Sequence, residues 1–167
     1  MMQRLAVYAG SFDPPTVGHV WMIERGVALF DHLTVAVGVN PEKRTLFSLD
    51  ERLAMLRETT EAHERVAVAS FSNRYLIDYA RSIEAGFVLR GIRTAADFEY
   101  ERAMRHINAD LSPDIGTVFL MPPRAIAEVS SSMVKGLVGP AGWEELVAQY
   151  VPAPILERLK GVQRAGA

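Results

Sequence analysis

Cysteine is absent from the 167 residues of this chain. That removes disulfides, thiolate zinc sites and cysteine nucleophiles, and it fits a reducing compartment. Long apolar runs are also missing. The opening MMQRLAVYAG holds too short an apolar stretch for a signal peptide, and no later stretch approaches a membrane span. The expected location is cytoplasmic, with no membrane partner. Excess charge of either sign is lacking, since 18 Lys and Arg stand against 20 Asp and Glu. A chain without a basic field is not expected to bind nucleic acid, although a few local cations can still hold a small anion. His32, His63 and His106 are scattered along the chain without metal-ligand spacing, so no metal site built from protein side chains is expected. No repeat or long linker divides the chain. Residues 1–167 are read as one domain, with 161–167 as a frayed tail.

What is present is an alternation. Five short apolar runs recur: RLAVYAG (4–10), LTVAVGVN (33–40), VAVASF (66–71), FVLRG (87–91) and GTVFLMP (116–122). Near-continuous apolar character is the pattern of strands buried on both faces. Helical segments lie between them. VWMIERGVALF (20–30) spaces Trp21, Ile23, Val27 and Phe30 helically. The segment 48–63 opens with a capping box, Ser48 followed by Glu51. The segment 94–111 starts at Thr94, a cap residue, and carries Phe98, Ala103, Met104 and Ile107 on one side. The order predicts an α/β fold with a doubly wound, five-stranded parallel sheet. After residue 122 three helices are predicted, at 131–138, 142–150 and 153–160.

In such a sheet, ligands sit beyond the carboxyl ends of the strands. Four connections there carry unusual chemistry. The first is GSFDPPTVGH, 10–19. Gly10 permits a turn and close approach, Ser11 offers a hydroxyl, and Pro14 and Pro15 stiffen the loop. Thr16 and His19 share a face of the first helical turn, where free N–H groups attract phosphate. Taken alone, this is equally a rigid strand-to-helix turn. The second is NPEKRTLF, 40–47, with Lys43 and Arg44 either binding an anion or simply solvated. The third is LRGIRTAADFEYE, 89–101. Arg90 and Arg93 suit phosphate oxygens, or else pair with Asp97, Glu99 or Glu101. The fourth is VSSSMVK, 129–135. One serine suffices for a helix cap, and three suggest a phosphate cradle.

Together these stretches resemble the nucleotidyltransferase superfamily that attacks the α-phosphorus of nucleoside triphosphates. The first matches its GxFDPxHxGH signature with Thr16 in the HxGH position. Thr16, with RGIR and DFEYE in the third stretch, resembles the phosphopantetheine adenylyltransferase branch. The fourth resembles that superfamily's ISSSxVK motif. The resemblance covers roughly residues 4–135. It implies adenylyl transfer from ATP to 4′-phosphopantetheine, yielding dephospho-coenzyme A and pyrophosphate. By this resemblance Ser11, Lys43, Leu76 and Arg90 contact phosphopantetheine. Ser11, Phe12, His19, Gly91, Ile92, Arg93, Glu101, Ile126 and Ser130 to Ser132 lie around ATP. His19, Lys43, Arg93 and Ser11 are implied as catalytic. The resemblance also implies Mg²⁺ accompanying ATP, a homohexamer and feedback binding of coenzyme A.

The chain departs from the pattern in RAIAEVSSS, 124–132, where Ile126 takes a common aromatic position and Glu128 that of a Phe. An acid beside a triphosphate repels it unless it turns away or pairs, for instance with Arg124. The alternatives are an adenylyltransferase acting on nicotinamide mononucleotide, whose first motif carries His at the position of Thr16 and which lacks the third stretch, and a non-catalytic nucleotide-binding regulator.

Overall fold

A computed structural model describes residues 3–166. The five apolar runs form β1 (Leu5–Gly10), β2 (His32–Val39), β3 (Val66–Ser72), β4 (Phe87–Gly91) and β5 (Gly116–Leu120). All pair in parallel, in the order β3-β2-β1-β4-β5. Between them run α1 (Val17–Leu29), α2 (Leu49–Thr60), α3 (Leu76–Ser82) and α4 (Ala95–Leu111). Three helices follow β5: α5 (Ser131–Leu137), α6 (Trp143–Val147) and α7 (Ala153–Gly166). The last continues into the segment expected to fray, and Ala167 lies outside the described residues.

Strand period explains why the runs are apolar throughout. In β1, Ala6 and Tyr8 enter a core with Met22 and Ile23 of α1 and Leu53 and Leu56 of α2. Val7 and Ala9 point the other way and pack with Ile77 and Ala80 of α3. Alternate residues therefore bury on opposite faces. Gly26 lets α1 lie close to the sheet, because a Cβ there would meet Leu33 Cδ2 at 2.8 Å.

The caps form as the sequence predicts. Ser48 Oγ accepts from the Glu51 N–H, and the Glu51 carboxylate accepts from the Ser48 N–H at 2.8 Å. Thr94 Oγ1 accepts from the Asp97 N–H at 3.1 Å. Helix α3 was not anticipated. Helix α4 buries little, leaving Phe98 and Ile107 about half exposed. A third core joins Phe47 and Met55 to Val134, Trp143, Val147 and Ile155, fastening the C-terminal helices to α2. No helix among the described residues is long and apolar enough to cross a membrane.

Candidate active site

The chain winds from β1 to β2 and β3, then crosses to β4 on the other side of β1. The sheet therefore opens a crevice between the carboxyl ends of β1 and β4, where ligands bind in open α/β sheets. A cavity of about 290 Å³ lies there. All four conspicuous connections meet in it: Ser11, Phe12 and His19 from the first, Lys43 from the second, Arg90, Gly91 and Arg93 from the third, and Ser130 to Ser132 from the fourth, with Ile126 just before them.

The first loop is held from several sides. Phe12 has φ of 47°, a left-handed conformation costly for a residue with a Cβ. That conformation turns its ring inward, where it is buried beside Gly10 and packs edge-on to His19 with centroids 5.0 Å apart. His19 Nδ1 accepts from the Thr16 N–H at 2.9 Å. This bond leaves the proton of a neutral imidazole on Nε2. Burial, and after it the nearby Arg93 charge, lowers the His19 pKa from 6.5 to about 4. The ring is therefore neutral at pH 7 and has one N–H to donate, at the N-terminus of α1.

Three contacts fix the rest of this wall. Lys43 Nζ donates to Ser11 Oγ at 3.1 Å. Arg52 of α2, itself buried, donates to the Ser11 carbonyl at 2.9 Å and to the Ser48 carbonyl at 3.3 Å. Asp13 accepts from the Leu46 and Phe47 N–H groups and from Lys135 Nζ of α5 at 2.8 Å. Burial pushes the Asp13 carboxyl up, but Lys135 and the two N–H groups outweigh it and hold the pKa below the ordinary value. One carboxylate thus ties together the first, second and fourth connections. Neither Asp13, Lys135 nor Arg52 was singled out in the sequence reading.

The two arginines carry the ion pairs considered above as the alternative to anion binding. Arg90 pairs with Glu101 and donates to the Ala9 carbonyl at 3.2 Å. Arg93 pairs with Asp97 at 3.1 Å. Both still line the cavity. The serines divide their work. Ser130 Oγ caps α5 by accepting from the Met133 N–H, and Ser131 Oγ donates to the Pro14 carbonyl at 2.8 Å. That leaves the Ser132 hydroxyl and the N–H groups of Ser131 and Ser132 for a ligand.

A second cavity, of about 620 Å³, adjoins the first between the sheet and helices α3 and α4. Ser11 and Arg90 line both. Its walls are mostly apolar, among them Phe71, Leu76, Met104 and Leu111. Leu76 is therefore brought to the site by a different element from the other residues. Glu101, expected around ATP, faces this second cavity instead, because its pair with Arg90 holds it there. Ile92 lines neither cavity. It is buried, and its N–H continues the sheet by donating to the Leu120 carbonyl.

A family model described as Cytidylyltransferase-like matches residues 7–137. A phosphopantetheine adenylyltransferase of Neisseria meningitidis serogroup C (strain 053442) is 58% identical over 156 residues, covering 93% of this chain and 92% of that protein. The chain belongs to the phosphopantetheine adenylyltransferase family. A second such relative, from Chromobacterium violaceum, is 59% identical over 93% of this chain and 95% of its own length. Among solved structures, a Plasmodium falciparum nicotinic acid mononucleotide adenylyltransferase complexed with NaAD superposes with a TM-score of 0.68, covering 95% of this chain and 94% of that one. At 13% identity that likeness concerns the fold alone.

The expected departure from the family pattern falls in the loop 124–128. Ile126 lines the first cavity, whereas Glu128 is exposed and lines neither cavity. The acid faces solvent rather than either cavity, so it needs no pairing with Arg124. Among the described residues, Asp13 is the one carboxylate lining the first cavity, and it is engaged by Lys135 and two backbone N–H groups. Among the described residues no cluster of three His, Asp or Glu is placed to hold a metal ion.

Proposed function

We infer that this chain transfers the adenylyl group of ATP to 4′-phosphopantetheine, giving dephospho-coenzyme A and pyrophosphate. Besides family membership, one observation carries the reading. A polar cavity suited to a triphosphate and a larger apolar cavity suited to an extended arm meet at Ser11 and Arg90. The acceptor phosphate sits at that junction, with its arm in the second cavity along Leu76.

The second pKa of a phosphate monoester is about 6, so the nucleophile is largely dianionic at neutral pH and needs no general base. An acceptor oxygen bonds to the α-phosphorus while the bond to the β-phosphate oxygen breaks. The protein's task is to hold two polyanions in line and offset their repulsion. Lys43 and Arg90 hold the acceptor phosphate, and Ser11 lies between the two phosphates. His19 donates its Nε2–H to an α-phosphate oxygen. A neutral donor is sufficient for this task, because a preorganised hydrogen bond stabilises charge developing in the transition state with no proton transfer. Arg93, Ser132 and the first-turn N–H groups of α5 receive the leaving pyrophosphate. To take up these phosphates, Arg90 and Arg93 share or exchange their carboxylate partners.

The donor set fits Mg²⁺ held through phosphate oxygens and water rather than by a protein cage. Bound in that way, the ion offsets part of the triphosphate charge. We further propose a cytoplasmic enzyme that assembles as a homohexamer and binds coenzyme A in the same cleft. Exposed Phe98 and Met121, which line neither cavity, support self-association.

Removing Lys43 separates the acceptor site from the ATP site. For Lys43→Ala, KM for phosphopantetheine is expected to rise about tenfold or more, the loss of one charge-assisted contact. KM for ATP should change far less in the same steady-state assay. A rise confined to ATP contradicts the assignment.

A further inference from the structure

Among the described residues, one buried side-chain polar atom has no hydrogen-bond partner: the hydroxyl oxygen of Thr117. Buried polar groups are normally paired, and one left unpaired opposes folding. Valine has nearly the same shape and would avoid that cost. Thr117 lies on β5 opposite Val88 of β4, and both line the second cavity. Phe71, Leu76, Met104 and Leu111 surround that cavity with apolar surface. Asn108, Arg105 and Glu101 also line this cavity, but among its described residues Thr117 is the one whose buried hydroxyl has no partner within the protein.

Its depth is set by sheet register. Arg90 pairs with Phe119, and Val88 with Thr117. Thr117 therefore sits two residues further from the carboxyl edge than Arg90, about 7 Å at the rise of a strand. A ligand whose phosphate meets Arg90 would bring atoms several bonds from that phosphate to Thr117. Phosphopantetheine carries a hydroxyl and then an amide at about that remove, beyond a branched apolar stretch.

We propose that Thr117 is a specificity-determining residue whose hydroxyl hydrogen-bonds the hydroxyl or first amide of the acceptor's arm. The inference rests on the acceptor site assigned above. A site that hydrogen-bonds a substrate group rejects analogues lacking that group far better than shape alone allows. Thr117 would then favour amide-bearing arms over equally long alkyl phosphates.

The test compares Thr117→Val and Thr117→Ser in the full chain, by thermal melting and by steady-state kinetics with phosphopantetheine and ATP. Thr117→Val breaks no hydrogen bond within the protein, so its melting temperature should equal or exceed that of the parent. Its KM for phosphopantetheine should rise about five- to tenfold, with KM for ATP unchanged. Thr117→Ser keeps the hydroxyl and should hold the acceptor KM within about twofold. An unchanged acceptor KM in Thr117→Val overturns the inference, as does a fall in its melting temperature matched by no kinetic change. A parent enzyme that turns over phosphopantetheine while Thr117→Val behaves identically overturns this inference alone. A parent with no phosphopantetheine turnover overturns the acceptor reading and this inference with it.

Discussion

His19→Ala is expected to lower kcat on the order of a hundredfold to a thousandfold, the usual effect of deleting one preorganised donor to transition-state charge. KM for ATP should move much less, because in the proposed complex the triphosphate keeps Arg93, Ser132 and the α5 N-terminus. The argument starts from the Thr16 N–H, which occupies Nδ1 and so aims the remaining proton from Nε2. Phe12 buttresses the ring from one side. A near-parent kcat would show that the ring has no part in the transition state. The pH dependence gives an independent check. The folded His19 pKa is lowered from 6.5 to about 4, so acidification through that window protonates the unfolded chain first. The contribution of neutral His19 to stability is complete above 6.5 and is lost as pH falls toward about 4. His19→Ala should remove that part of the acid-side loss in denaturation curves, leaving the rest of the pH profile in place.

Asp13→Ala should be the most destabilising single change in the site. It strands Lys135 and two backbone N–H groups around a side chain that is 2% exposed. Removing one partner of a buried ion pair costs about 3–5 kcal/mol. Urea denaturation at pH 7 measures the loss directly, and a loss below about 1 kcal/mol would place Asp13 among ordinary surface residues. The sign with pH follows from its lowered pKa. The carboxylate stabilises the fold above the ordinary 3.8, and this is lost as pH falls through the lower folded value. The difference between parent and Asp13→Ala should therefore shrink in strong acid. Catalysis should suffer as well, since Asp13 sets the spacing between the Lys43 loop and the serine cradle.

How much of this was legible depended on the range of the interactions involved. The central strands were readable because the sheet buries both of their faces, as Ala6, Val7, Tyr8 and Ala9 illustrate, whereas the edge strands β3 and β5 are only part-buried. Helix α3 was not. It has only seven residues, and its N-cap Tyr75 makes no side-chain cap bond, so neither periodicity nor a start signal marks it. The four connections that meet in the first cavity were legible because each carries its own local chemistry after a strand. Asp13, Arg52 and Lys135 were not, because their partners lie 34, 41 and 122 positions away. The serine run was read as one cradle, whereas packing commits two of its hydroxyls to the cap of α5 and to Pro14. The placement of Glu101 likewise followed from its contact with Arg90, an ion pair that sequence spacing allowed but could not select.

The central claim is the identity of the acceptor. It is tested most directly by measuring pyrophosphate release from Mg²⁺–ATP with phosphopantetheine, with nicotinamide mononucleotide and with no acceptor. The account predicts release with phosphopantetheine alone, matched mole for mole by dephospho-coenzyme A. Release that favours nicotinamide mononucleotide, or no release with any acceptor, would contradict it.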